Sequence, residues 1–306
     1  MTSEELDRLI ALDAAGFLVT EGENREDFLQ RIEDTEKVYA DFENQLASGE
    51  KVMVFDQFEV TAADRISPEL SGEAAGITAD LYGFSVTHVP GFYLTRQVGL
   101  LWGGCLIGDP EQNFAVFLLR NAFRKHRRFL NYRREELLAH ELCHSVRHVM
   151  SEPSLEEYFA YQTSPSPLRR YMGNCFISDK DALFFLLPVM LLPIVEVVRA
   201  LWLWWFPTWI FWILAVVYPL FLLWRNHRSR SLVNRARKVL KSAGINQCEA
   251  VLFRIYPDEM EEISRLELED VDSYAEKKSG VSLRWKVIYE RFFRENVPGK
   301  CEEENL

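Results

Sequence analysis

The sequence predicts an α+β domain over residues 1–180, a two-helix transmembrane hairpin over 181–224 and a small C-terminal α/β module over 225–306. Three observations carry this prediction. Apolar residues recur near helical spacing before residue 50 and again around 135–150, while short aromatic and β-branched runs crowd residues 83–119. Between Ala182 and Trp224 the only ionisable side chains apart from tyrosine are Glu196 and Arg199, and six of the eight tryptophans lie there. An ordinary water-soluble fold cannot carry that stretch.

Taken in order, Leu6, Leu9 and Ile10 place a helix over Ser3 to Ala15. Phe28, Leu29, Ile32, Val38, Tyr39, Phe42 and Leu46 place a second over Arg25 to Ala47. Val52 to Val60 reads as a strand. Phe84 to Val89, Phe92 to Thr95, Leu100 to Ile107 and Phe114 to Leu119 follow as strands of a small, largely antiparallel sheet, with turn signals at Pro90-Gly91 and Gly108-Asp109-Pro110. A basic stretch comes next, Arg120, Arg124, Lys125, Arg127, Arg128, Arg133 and Arg134. It reads either as a solvated face or as a contact with anionic lipid headgroups, since a membrane segment follows soon after. Helical periodicity resumes from Glu135 to Met150 and again from Ser154 to Gln162, where Pro165 and Pro167 stop it.

Ala182 to Val195 is 14 apolar residues and Leu201 to Trp224 is 24. A spanning helix needs about 20. The second run qualifies alone, and the first does so if it extends through Glu196 to Arg199, which puts a polar turn at the far interface. A single long span with a re-entrant helix is the alternative. Beyond Trp224, a basic helix ends near Gly244, Glu249 to Ile255 reads as a strand, Pro257-Asp258-Glu259 opens an acidic helix, and Leu283 to Phe293 forms a last one.

The formal charge is -11, and the first 80 residues hold 20 acidic against 6 basic side chains. This composition excludes a disordered tail protein and argues against nucleic acid as a partner. Acidic residues from Glu4 to Asp27 occupy the place a signal peptide's apolar core needs, so the N-terminus is expected to stay in the cytosol. Five scattered cysteines, Cys105, Cys143, Cys175, Cys248 and Cys301, suit reduced thiols there.

The chemistry concentrates at Leu137-Leu138-Ala139-His140-Glu141-Leu142-Cys143-His144, an HExxH motif. Histidines at i and i+4 share one helix face about 6 Å apart along the axis, so both imidazoles can reach one zinc ion while the glutamate sits beside the metal's water. Leu137, Leu138 and Leu142 bury the same helix. Two histidines and a glutamate on a buried helix have little structural purpose without a metal.

Downstream lies Ser154-Leu155-Glu156-Glu157-Tyr158-Phe159-Ala160-Tyr161. An HExxH helix followed by a helix carrying Glu-Tyr-Phe-Ala resembles the gluzincin zinc peptidases, whose glutamate helices often read Glu-Gly-Phe-Ala or Glu-Tyr-Ala-Ala. The resemblance covers about 30 residues. It implies a zincin-like fold for residues 1–180, His140, His144 and Glu157 as zinc ligands, and Glu141 as general base. Union with membrane helices is similar to the integral-membrane metallopeptidases by architecture alone. The chain departs from several of these families at Tyr161, where they place an aspartate. Its spacer is also short, with 12 residues between His144 and Glu157, so the first helix must end within about one turn of His144 and the chain must reverse sharply.

Three local alternatives stand beside this assignment. Glu156 competes with Glu157 but points about 100° away on the same helix. Ser154 and Glu157 also fit a capping box. His148 continues the i+4 ladder, but a His144/His148 pair would have Ser145 in the base's place, so His148 reads as a surface residue or an oxyanion donor, alongside Tyr158, Tyr161 and Tyr171. The strand Phe114 to Leu119 reads either as an edge for an extended protein or peptide substrate or as plain core packing. The expected whole is an integral membrane zinc metallopeptidase in the lipid bilayer, with catalytic and C-terminal parts in the cytosol; a membrane scaffold with a vestigial HExxH helix is its rival.

Overall fold

A computed structural model describes residues 1–49, 51–55, 57–94, 103–109, 114–202 and 204–294. Parts of two expected strands, at Thr95 and 100–102, and Cys301 lie outside these residues. The chain begins with α1 (Ser3–Ala14), capped by a reciprocal Thr2–Glu5 box, and α2 (Arg25–Ala47), capped by Asn24. The stretch expected as a single strand is instead a hairpin of β1 (Val52–Val54) and β2 (Phe58–Val60), reversed at Phe55 with its φ of 50°. Next comes α3 (Pro68–Tyr82), with Ser67 as N-cap, Pro68 in the first turn and Gly83 in the left-handed conformation after its end. Residues 84–89, expected as a strand, are irregular and bend at His88 and Val89 without joining the sheet, and Ser85 N–H donates to the Ala14 carbonyl at 2.8 Å.

The central sheet comprises β3 (Gly91–Leu94), β4 (Gly104–Asp109) and β5 (Phe114–Arg120) in the order β3-β5-β4. β5 pairs parallel to β3 and antiparallel to β4, so the sheet is mixed rather than largely antiparallel. β5 is also the middle strand. The expected edge at Phe114 to Leu119 is corrected: among the described residues the free edge beside the metal-motif helix belongs to β4.

A short helix α4 (Ala122–Lys125) and a tight ribbon of β6 (Arg128–Phe129) and β7 (Tyr132–Arg133) lead into α5 (Arg134–Arg147), which carries the motif. α6 (Glu156–Tyr161) and α7 (Pro167–Met172) follow. Two long helices come next, α8 (Asp179–Leu201) and α9 (Trp209–Ser242). Both are long and apolar enough to cross a membrane, and their large side chains face outward, Met190 at 61%, Trp209 at 61% and Leu220 at 57% exposure. α8 continues through Glu196 and Arg199, the extension its spanning length requires, and ends at Leu201 before α9 begins at Trp209. The Glu196 and Arg199 side chains lie at the hairpin tip, bonded to the Trp212 indole and the Thr208 hydroxyl.

α10 (Cys248–Arg254), α11 (Pro257–Ile263), α12 (Asp270–Ser279) and α13 (Leu283–Phe292) complete the chain. The expected strand at Glu249 to Ile255 is therefore mostly helix, and the described residues after 225 hold helices and no strand, so the module is all-α and not α/β. The reason is packing. Ala250, Val251, Leu252 and Phe253 are buried on every side, and a continuous apolar run of that length does not distinguish a strand from a buried helix. These helices share one core with the N-terminal part: Leu119, Phe123, Leu138, Leu142 and Phe159 pack with Val233, Leu240, Leu252, Phe253 and Trp285. Buried charges reinforce the join. Arg254 pairs with Asp13 at 2.9 Å and donates to the Tyr82 carbonyl at 2.7 Å. α9 thus belongs to two environments, apolar and outward-facing in its first half, and buried in the core at Val233, Ala236 and Leu240 in its second.

Candidate metal centre

α5 is oriented by its buried face. Leu138, Ala139, Leu142, Cys143 and Val146 enter the core, which leaves residues 140, 141 and 144 on the flank beneath β4. Glu135 and Glu136 occupy the first turn, where carboxylates complement the helix dipole. The helix stops at Arg147, a tighter turn runs over residues 148–150, and Ser151 adopts a left-handed φ of 51°. This is the sharp reversal that the 12-residue spacer requires.

Arg147 locks the reversal. Its guanidinium is 1% exposed, pairs with Glu152 at 3.3 Å, donates to the Phe253 carbonyl and lies 4.6 Å from the Phe159 ring. Glu152 in turn accepts from the Ser154 N–H at 3.0 Å and from its hydroxyl. Ser154 is therefore occupied by Glu152, α6 starts after Leu155 with no side-chain cap, and the capping-box role for Glu157 is overturned. The Glu157 carboxylate is free to face the histidines.

It does so. His140 Nε2 and His144 Nε2 lie 3.2 Å apart, and the Glu157 oxygens lie 3.7 Å from the first and 3.4 Å from the second. One donor atom from each of the three falls within 4.8 Å of the others. Glu156 stands on the other side of His144, 3.5 Å from Nδ1, so the two glutamates flank that ring on its two nitrogens. Burial, reinforced by the charge on His144, pushes His140 down to about 3 against a hydrogen bond to the Ala160 backbone. Burial also opposes charge on His144, but Glu156, Glu157 and Glu141 outweigh it and push it up to about 10. The donor set, two imidazole nitrogens and a carboxylate oxygen, fits zinc with one position left for water or substrate. The hydrogen bond from His140 to Ala160 and the Glu156 contact of His144 are the outer partners that such ligands use to fix their rings.

Glu141 projects between two cavities. Burial raises its carboxyl pKa, with the His144 charge and the Leu106 N–H, which donates to Oε2 at 2.9 Å, pulling the other way. One cavity, of about 290 Å³, is walled by Phe17, Tyr39, His88, Leu106, Phe114 and Val149 among others, and also touches His144 and His148. The second, also about 290 Å³, is lined by Gly103, Gly104, Tyr132, Glu136, His140 and Tyr161 among others. β4 contributes to both, so its edge runs past the metal motif from one cavity to the other.

Of the four candidate oxyanion donors, Tyr161 sits with its ring 4.6 Å from His140, and its phenol pKa is raised by burial and by Glu157. His148 is exposed at the first cavity. Tyr158 is buried and bonded to Arg237 at 2.9 Å, and Tyr171 lies on α7 outside both cavities. Two contributors escape sequence reasoning, the Leu106 N–H and the Arg147–Glu152 lock. A backbone amide has no residue signature, and Arg147 carries only a faint one as an arginine on the apolar side of a helix. No family model, curated protein or solved structure matches the chain.

Proposed function

We propose that this protein is a membrane-anchored, zinc-dependent peptidase with a zincin-like catalytic domain. The observation that carries the proposal is the convergence of His140, His144 and Glu157 donor atoms within 4.8 Å, beside Glu141 and a cleft along a free strand edge. When bound there, zinc supplies a Lewis acid that polarises a carbonyl and lowers the pKa of a bound water toward about 7. Glu141 takes a proton from the attacking water and returns it to the leaving amine, a role suited to a carboxyl whose pKa burial raises. The Leu106 N–H orients that carboxylate. Tyr161 keeps its proton and is placed to donate to a developing oxyanion. The outer edge of β4 suits an extended peptide backbone added as a further strand.

The shared core supports the hairpin, because two soluble segments that pack together must lie on one side of the bilayer. Lys and Arg favour the cytosolic side, and Arg169, Arg170 and Lys180 precede the hairpin while seven basic residues from Arg225 to Lys241 follow it. We therefore assign that side to the cytosol.

The test is metal analysis of the full chain purified in detergent. About one zinc per chain is expected, lost in His140→Ala and weakened far more by Glu157→Ala than by Glu156→Ala. A wild-type protein free of zinc under non-chelating conditions refutes the proposal, and equal effects of the two glutamates refute the choice of ligand.

A further inference from the structure

The ribbon of β6 and β7 with the start of α5 on one side, and the start of α7 on the other, build a third cavity, of about 260 Å³, lined by Arg128, Leu130, Arg133, Glu136, Ser166 and Arg169 among others. We propose that this cavity binds the phosphodiester headgroup of an anionic phospholipid and seats the soluble domain on the bilayer.

Charge is the first ground. Three guanidinium groups face one carboxylate, and Glu136 is taken up by Arg169 at 2.9 Å. Arg169 also lies 4.7 Å over the Tyr132 ring, which fixes α7 against the ribbon. Arg128 and Arg133 have no side-chain partner among the described residues. The cavity therefore carries about two unneutralised positive charges, and paired guanidinium forks match phosphate oxygens.

Position is the second ground. The apolar run of α9 ends at Trp224, and two residues later the Asn226 side chain donates to the Tyr171 carbonyl at 2.8 Å. Arg225 donates to the Cys175 carbonyl at 2.8 Å, and Arg230 to the Arg170 carbonyl at 2.7 Å. α7 is thereby held level with the point where the hairpin leaves its apolar stretch, within about 3 Å along the α9 axis at Asn226.

Apolar exposure is the third. Leu168 on α7 is 70% exposed and Leu130 at the tip of the ribbon 61%, with Tyr171, Met172 and Phe176 also outward. Leu130 holds a left-handed φ of 51°, an uncommon conformation for a leucine. Basic side chains rimmed by outward apolar ones, at the height of a membrane interface, suit a lipid surface. A soluble phosphate would leave the apolar rim without a partner. The cavity also shares Glu136 with the one beside His140, so a lipid held here would place that end of the cleft next to the bilayer.

The experiment is native mass spectrometry of the full chain in detergent, titrated with phosphatidylglycerol, with phosphatidylcholine and with inorganic phosphate. Lipid around the hairpin binds every variant alike, so the difference between variants reports the cavity. The wild type should retain phosphatidylglycerol at least tenfold more tightly than phosphatidylcholine, and millimolar phosphate should not displace it. Arg128→Ala with Arg133→Ala should lower the anionic-lipid affinity by about 20-fold, while Arg128→Lys with Arg133→Lys, which keeps the charge and loses the forks, should fall between that variant and the wild type. Leu130→Ser with Leu168→Ser, at exposed positions, should weaken lipid retention too. Unchanged phosphatidylglycerol affinity in the double alanine variant overturns the proposal. So does displacement of the lipid by phosphate, which would identify a site for small anions only.

Discussion

Two helix pairs, α5 with α6 and α8 with α9, solve opposite problems. Across the first pair, His140, Glu141, His144, Glu156 and Glu157 crowd within a few ångströms, largely shielded from water, while the outer faces of both helices are apolar and sunk in the core. Across the second, from Asp181 to Arg225, charged groups are confined to the two ends. Asp181 meets Arg225 at 2.6 Å and Tyr218 at 3.0 Å at the base, and Glu196 meets Arg199 at 3.6 Å at the tip. Between Asp181 and Glu196 lie about 22 Å of helix without a charge, most of a hydrocarbon core of about 30 Å. The pairs teach that a polar group is placed by what surrounds it. Protein atoms enclose the first pair, so charges face inward and satisfy one another. The second pair presents apolar side chains outward, and its charges retreat to the ends.

The largest effect is expected where inward charge is meant to do chemistry. On the proposed peptidase reading, Glu141→Gln keeps the shape of the site and removes a base, so peptide cleavage should fall by about 10²- to 10⁴-fold while zinc content stays near one per chain. Metal lost along with activity would mean that Glu141 helps to bind it, and the comparison would lose its catalytic half.

The next effect tests whether the inward charges are structurally obligatory. Arg147→Ala leaves the Phe253 carbonyl without its donor inside the core, and leaves Glu152, at the core's margin with 14% of its side chain exposed, without its cation. A loss of about 3–5 kcal/mol in denaturant unfolding is expected. Zinc affinity should fall as well, because the turn that returns Glu157 is loosened; a variant as stable as wild type would show the reversal to be held by other contacts.

The same truncation in the two pairs gives a direct contrast. Leu142→Ala empties a site that is 3% exposed in the core and should cost about 2–5 kcal/mol. Leu214→Ala alters a side chain that is 49% exposed on α9, where lipid tails would fill the space if the helix spans the bilayer, and should cost under about 1 kcal/mol in bilayer-reconstituted protein. Comparable losses would place Leu214 against protein instead of lipid.

How much of this was legible in the sequence follows the same division. The hairpin announced itself because its signal is composition, and composition needs no partner to be read. α1, α2 and α5 were legible from periodicity, and Asn24 and Thr2 mark two of their starts. α3 goes beyond the sequence reading because, between Leu70 and Tyr82, its buried face is Ala74, Ala75 and Thr78, small residues that give little apolar contrast. α10 misled because Ala250 to Phe253 are buried all round. At the site, the histidines and Glu141 come from one helix and one motif, whereas the return of Glu157 depends on Arg147, Phe253 and Glu152 meeting across 106 residues of chain. The order of β3, β5 and β4 likewise reflects long-range pairing that no local pattern encodes.

The smallest effect is also the one that most isolates burial, at His88 in the first cavity. Its ring stacks on Phe17 at a centroid distance of 4.4 Å and meets the Tyr39 ring edge-on at 5.5 Å. Burial alone pushes its pKa down to about 4, well under its ordinary 6.5. The unfolded chain therefore takes up a proton as pH falls through about 6.5, and the folded chain refuses it until about 4. Stability from the neutral ring is complete above the upper value and is lost progressively across that window. His88→Phe preserves an aromatic stack and removes the titration. The variant should match wild type near pH 7.5 and gain on it by about 1 kcal/mol near pH 5.5, since each pH unit between the two values is worth at most about 1.4 kcal/mol. Every other titrating group is common to both proteins and cancels in the difference. If the two stability curves fall in parallel from pH 7.5 to 5.5, His88 accepts its proton in the folded state, and the cavity wall is wetter than the packing of Phe17 and Tyr39 indicates.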